Sequence, residues 1–277
     1  MIRTLDELVD ALGNESTRIL INKASIPNQT VGRFVSMWRA TGQPGQAAIP
    51  ETTPALCNSA LLGAISFPNQ TAPRASYIGW LQLACSNTGH CVEVHDRLAH
   101  VGGLVLNVTT AQNITGLDLV TLGVSAGRRG DANFSAIQWW LEVYADGGAT
   151  ASNATINVTY NDDTTGNLNV QAVGGTVRAG NMFPLTPLIP PASQGKYITA
   201  INSVTLSAST TVAGNFGFTA TRNRTTVATH IANKLEIATW DMLGFPEVFN
   251  DSCLFFVVPS LTTASGTVIG TGKIAHG

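Results

Sequence analysis

The stretch Ile137-Gln138-Trp139-Trp140-Leu141-Glu142-Val143-Tyr144 puts Ile137, Trp139, Leu141 and Val143 on one parity and Gln138 and Glu142 on the other. Side chains alternate between the two faces of an extended chain, so the pattern predicts a half-buried strand. The same period recurs outward from it. Asn153-Ala154-Thr155-Ile156-Asn157-Val158-Thr159-Tyr160 buries its even positions, and Asn161-Asp162-Asp163-Thr164-Thr165-Gly166 reads as a turn into a short strand near 168–170. Residues 203–209 alternate as cleanly, and Phe216, Phe218 and Ala220 continue on one face. Residues 80–83, the turn Asn87-Thr88-Gly89 and residues 92–94 predict a hairpin; further strands are expected at 33–41, 104–108, 254–258 and 267–274.

Many strands joined by Gly, Asn and Asp turns predict an all-β chain folded as an antiparallel β-sandwich, of a size that suits a jelly roll with long loops. Residues 42–54 and 182–191 interrupt the alternation. Prolines at 184, 187, 190 and 191 remove amide donors and fix φ, so extended connectors are expected there. The first 23 residues read differently: Leu5, Leu8, Val9 and Leu12 recur at helical spacing, Thr4 can cap with Glu7, and Gly13-Asn14 supplies a stop. A second amphipathic stretch is expected over 15–21. The chain thus divides into a short helical N-terminal segment or arm, 1–31, and a β-sandwich domain, 32–277, with Pro-rich loops and a C-terminal tail. Whether the segment packs on the domain or docks on a neighbour stays open.

Composition narrows the partners. Of 277 residues, 15 are Lys or Arg and 17 Asp or Glu, so 12% are charged; soluble proteins average roughly 25%. Thr, Asn, Ser and Gly keep the surface wet instead. Without a basic stripe there is no groove for nucleic acid. The apolar runs at 61–65 and 254–258 are far shorter than the roughly 20 residues that cross a bilayer, so no membrane partner is expected. Met1-Ile2-Arg3-Thr4-Leu5-Asp6-Glu7 is acidic and lacks a signal-peptide core, which points to folding in the cytoplasm.

No constellation names a reaction. Cys85, His90, Cys91 and His95 are possible zinc ligands, but they lack the paired-knuckle spacing of structural zinc, and the cysteines read better as small hydrophobes. Whether Cys85 and Cys91 pair across their turn stays open. His90, His95 and His100 recur every fifth residue, which reverses the face on a strand each time. Asp162-Asp163 fits a turn better than a calcium loop, and Arg129-Gly130-Asp131 is a common triplet in a Gly-rich loop. The sequons at Asn107, Asn113, Asn153 and Asn157 follow from wet strand faces built of Asn and Thr. Catalytic residues, metal and cofactor are all expected to be absent.

Four segments carry a resemblance. They are Gly32-Arg33-Phe34-Val35-Ser36-Met37-Trp38-Arg39-Ala40-Thr41-Gly42; His95-Asp96-Arg97-Leu98-Ala99-His100; Trp140-Leu141-Glu142-Val143-Tyr144-Ala145-Asp146-Gly147; and Asn202-Ser203-Val204-Thr205-Leu206-Ser207-Ala208-Ser209, running on to Ala213-Gly214-Asn215-Phe216-Gly217. In this order, over about residues 30–225, the chain resembles virion structural proteins of tailed bacteriophages.

That resemblance implies a non-enzymatic particle component, most directly a capsid decoration or cement protein in the virion, assembled in the host cytoplasm. It implies self-association, with a homotrimer favoured, and contact with the major capsid protein or other virion proteins. The contact candidates are Leu5, Leu8 and Leu12; Phe183, Pro184, Pro187, Ile189 and Pro190; and the tail after Thr263. The alternative is a neck, tail or head-fibre protein that binds host-surface glycans, with Trp140 and Tyr144 exposed opposite the core. A glycan depolymerase would need a carboxylate pair in a cleft.

Overall fold

The computed structural model describes residues 1–175 and 177–277. Among these residues the strands form three antiparallel sheets. In the middle layer Asn215–Thr229, Gln138–Ala145, Asn181–Pro184, Arg33–Ser36, Leu254–Ser260 and His90–Leu104 pair in that order. Asn215–Thr229 then pairs with His90–Leu104 as well, so the ladder returns to its start. The result is a barrel-like ring with two walls to bury, an inner and an outer.

Two sheets pack on the outer wall. A five-stranded sheet is built on Ala151–Tyr160 and Ile198–Leu206, with Thr165–Asn167, Gln171–Gly174 and Gln112–Asn113 as short partners. Its Ile156, Val158, Ile201 and Val204 share one core with Trp139, Leu141, Val143, Phe216 and Phe218 of the ring. Trp139 also fastens the layers, its indole Nε1 donating to the Ile198 carbonyl at 2.8 Å. A six-stranded sheet holds Glu236–Thr239, Ser76–Cys85, Val268–His276, Ser16–Lys23 and Gly42–Gln43 in order, with Glu247–Val248 also on Ser76–Cys85. Ile19, Ile21, Leu81, Leu83 and Ile274 pack there against Val92, Val94, Leu254, Phe256 and Val258. The layers are those of an antiparallel sandwich whose middle sheet has closed on itself.

The ring demands one close approach. A Cβ at Gly217 would stand 1.8 Å from the Val101 carbonyl oxygen, so only glycine lets Asn215–Thr229 lie against His90–Leu104 there.

The helix forms at Leu5–Asn14, with Thr4 and Glu7 in a reciprocal capping box. Four expectations need correction. Residues 15–21 are not amphipathic helix: Ser16–Lys23 is a strand, because Ile19, Ile21 and Lys23 alternate with exposed Leu20 and find partners in Val268–His276. The C-terminal tail supplies that partner and lies between Ser16–Lys23 and Ser76–Cys85. Residues 80–94 are not a hairpin either. Ser76–Cys85 and His90–Leu104 enter different sheets, which satisfies the same apolar parity by stacking face to face. Residues 33–41 stop being strand at Ser36, whose hydroxyl accepts from Trp38 N and opens a 3-10 turn at Met37–Arg39. Residues 182–191 are only partly connector: Asn181–Pro184 joins the ring with Pro184 at its last position, and 3-10 turns follow at Thr186–Leu188 and Pro191–Ser193.

Candidate functional site

Strand parity decides what the ring encloses. In Gln138–Ala145 the odd residues face the five-stranded sheet, which turns Trp140, Glu142 and Tyr144 inward. Arg97 reaches them from His90–Leu104, and Thr219 from Asn215–Thr229. Arg97 Nη2 lies 2.7 Å from Glu142 Oε2 and donates to the Tyr144 hydroxyl at 3.0 Å and to Thr219 Oγ1 at 2.9 Å. Thr219 Oγ1 in turn donates to Glu142 Oε2 at 2.6 Å. Arg97 Nε donates to His100 Nδ1 at 3.0 Å, and the guanidinium sits over the rings of Trp38 and Phe255.

Both charges of this pair are fully buried. Burial opposes the Glu142 carboxylate, but the Arg97 charge and hydrogen bond, with those of Ser36 and Thr219, outweigh it and hold the group below the usual carboxylate range. Burial likewise opposes charge on Arg97; the Glu142 carboxylate reverses the balance and raises it. The Tyr144 phenol is pushed up, by burial first and by Glu142 second. Two ions taken out of water gain little net stability but are costly to separate. The network therefore ties three ring strands into one arrangement.

A second pair sits next to it in sequence. Arg128 grips Asp96 with Nε to Oδ2 at 2.9 Å and Nη2 to Oδ1 at 2.7 Å, a bidentate fork. Asp96 also accepts from Ser252 Oγ at 2.9 Å and Cys253 N at 2.8 Å. Beyond the pair, His95 joins Thr221 at 3.0 Å and Glu93 at 2.7 Å, and Trp140 Nε1 donates to Thr221 Oγ1 at 2.8 Å. Outside the ring, the buried Lys23 Nζ donates to the carbonyls of Ala40 at 2.6 Å and Pro44 at 2.9 Å; burial pushes it down to about 8.

No family model matches the chain, and no curated protein matches it. Among solved structures, the VP2 subviral particle of infectious bursal disease virus is 11% identical, covering 99% of this chain and 86% of that one with a TM-score of 0.19. The structure of the Gt strain of the same virus is 10% identical over 94% of this chain and 80% of that one, with a TM-score of 0.17. Similarity at this level assigns the chain neither a family nor a role.

The glycan candidates are displaced from where parity alone put them. Trp140 and Tyr144 are 2% and 3% exposed and line the inside of the ring, so neither offers a face on which a sugar could stack. Glu142 is buried with them, which makes this strand buried on both faces. Among the contact candidates Leu5 and Pro187 are exposed, Leu12, Pro184 and Pro190 half-buried, and Leu8, Phe183 and Ile189 buried. Phe183 and Ile189 belong to the core under the five-stranded sheet.

The possible zinc ligands are parted by the change of sheet after Cys85: Cys85 lies in the six-stranded sheet, His95 inside the ring, and Cys91 opposite Ala228. Cys85 and Cys91 are unpaired. Among the described residues no group of three or more His, Cys, Asp or Glu could hold a metal, and no helix is long and apolar enough to cross a membrane. Asp162 is engaged in its own turn, with Thr164 and with Lys196 at 2.8 Å. Asp131 holds the backbone of Asn133 and Ser135. Asn157 bonds Asn167 and Asn202 across three strands of the five-stranded sheet.

Sequence reading missed Arg97, Asp96 and Arg128. The signal was present for the first two: Asp96 and Arg97 are adjacent charges between Val94 and Leu98-Ala99, and adjacent strand residues face opposite sides, so a strand covered on both faces must bury both, which is tolerated only if they are paired.

Proposed function

We propose that the chain is a non-enzymatic structural subunit of a virus particle, acting as a capsid decoration or cement protein of a tailed phage. The sequence resemblance over about residues 30–225 supplies the class. The observation that carries it is the outer face of the six-stranded sheet. Register lines up Ile237, Gln82, Thr271 and Leu20 across four strands, with Ile269 next to Thr271 on the same face. Leu20, Ile237 and Ile269 are all exposed. The N-terminal helix docks at one end of this face through Lys273 and adds exposed Leu5 and Val9; Leu5 shares a cleft with Trp240.

The exposed apolar side chains on this face suit association, with Arg18, whose Nε donates to Thr271 Oγ1, and Lys273 among the charges beside them. Other copies of the chain, as a trimer, and the major capsid protein are the occupants proposed. Each would gain about 25 cal/mol per Å² of apolar surface covered, before ordering costs. The Arg97–Glu142 and Arg128–Asp96 pairs are buried and join ring strands to one another and to the Ala126–Arg129 turn, which supports a structural part for these charges. Purified protein mixed with expanded capsids should bind at a copy number matching the capsid lattice and raise the temperature at which they disrupt. Binding at a single vertex would favour a neck or tail position, and hydrolysis of host envelope polysaccharide would overturn the non-enzymatic reading.

A further inference from the structure

The edge of His90–Leu104 changes partner at one point. Leu254 pairs with Asp96 and Leu56 with Ala99, so the start of one strand and the end of another meet end to end along the same edge. Cys253 and Cys57 occupy the two facing ends. Arg97 N donates to the Cys253 carbonyl at 2.9 Å, and Cys57 N donates to the Leu98 carbonyl at 3.0 Å, which fixes them on consecutive rungs. Both side chains are fully buried in the apolar cluster inside the ring, with Trp38 and Phe255. Rungs follow one another at about 3.3 Å along a strand, so the two residues are immediate neighbours on this edge, and both side chains enter the same buried cluster.

We propose that Cys57 and Cys253 are a paired thiol site that closes to a disulfide when the protein meets hydrogen peroxide. The surroundings suit the chemistry. Burial resists ionisation of Cys57, but the Cys253 thiol and then His100 and Arg97 outweigh it and hold Cys57 well below the ordinary thiol range. Cys253 is displaced upward, by burial first and by Cys57 second. One member is thus the nucleophile and the other the proton-bearing resolver. Cys57 Sγ attacks one peroxide oxygen, the O–O bond breaks, and the departing hydroxide leaves as water with the proton of the Cys57 thiol. Cys253 Sγ then attacks the Cys57 sulfenic sulfur. The S–S bond forms, the sulfenic oxygen leaves, and the Cys253 proton completes a second water. The thiols are oxidised and the peroxide is reduced. Peroxide is small enough to enter through local opening of the short Ala55–Leu56 strand, whose two residues are exposed.

The test uses the full-length folded protein, treated with hydrogen peroxide, alkylated under denaturing conditions and digested for mass spectrometry. The expected product is lighter by the two thiol hydrogens, carries a Cys57–Cys253 cross-linked peptide, unfolds at a higher temperature and reverts with dithiothreitol. A Cys85→Ser/Cys91→Ser double variant should give the same link, whereas Cys57→Ser should leave Cys253 alkylatable. Oxygen addition at either cysteine without a link, a Cys85–Cys91 link, or full alkylation of all cysteines would overturn the proposal; none of these readouts depends on a variant folding.

Discussion

Arg97 and Glu142 meet at 2.7 Å in the interior of the strand ring, where Arg97 also lies 4.7 Å from the centroid of the Trp38 ring. An ion pair in such surroundings makes its two strands a matched set, since either charge alone would face an apolar wall. It compensates the charge that closure of the ring buries on the second side of Gln138–Ala145.

Glu142→Ala is expected to cost about 3–5 kcal/mol, because it strands the Arg97 charge. Replacing both residues, as in Arg97→Met/Glu142→Leu, should cost much less. The pH dependence has a definite sign. A carboxyl lowered on folding from its ordinary 4.5 stabilises the fold above that value, and the contribution is lost as pH falls through the lower, folded value. Urea unfolding between neutral and acid pH should show this loss in the wild type and not in Glu142→Gln.

Lys23 gives a slope of the same sign at the alkaline end. Its ammonium is depressed on folding from 10.5 to about 8, so the unfolded chain holds the proton more tightly. Between these values the wild type should gain stability with rising pH relative to a Lys23→Met variant. Paired denaturation curves at pH 8 and 10 would check it, and parallel curves would count against it.

Gly217→Ala should fold poorly, since the new methyl would meet the Val101 carbonyl inside a hydrogen-bonded ladder; overpacking of this kind costs about 1–3 kcal/mol or more. Gly13→Ala, with open space around its Cβ position, is the control and should leave the unfolding temperature nearly unchanged or raise it.

The N-terminal segment divides sharply at the end of its helix. Removing residues 1–14 should leave a folded but less stable protein, and Thr4→Ala alone should cost about 1 kcal/mol through the lost cap. Removing residues 1–23 also takes the strand between Val268–His276 and Gly42–Gln43, and should abolish cooperative unfolding followed by circular dichroism.

Leu5→Asp/Val9→Asp places charge on exposed positions and should leave thermal stability close to wild type. Under the proposed role it should weaken self-association, read by light scattering, and capsid binding, read by co-sedimentation.

Sequence by itself determined the local rules. Thr4, Glu7 and the spacing of Leu8 and Ala11 determine the helix; the alternation in 153–160 and 203–206 determines two strands with one wet face, where Asn157 and Thr159 meet Asn202. These depend on neighbours in the chain, and a period of two or of 3.6 records them directly. Only the tertiary structure decided which sheet a strand enters. Ser76–Cys85 and His90–Leu104 have the parity of a hairpin yet stack in different layers, because facing sheets bury the same residues that a paired hairpin would. Closure of the middle sheet then gave Trp140, Glu142 and Tyr144 a second buried side, and brought Arg97 to Glu142 and Cys57 to Cys253 from distant parts of the chain. Parity names the face a side chain takes, whereas what covers that face is fixed by contacts far away in sequence.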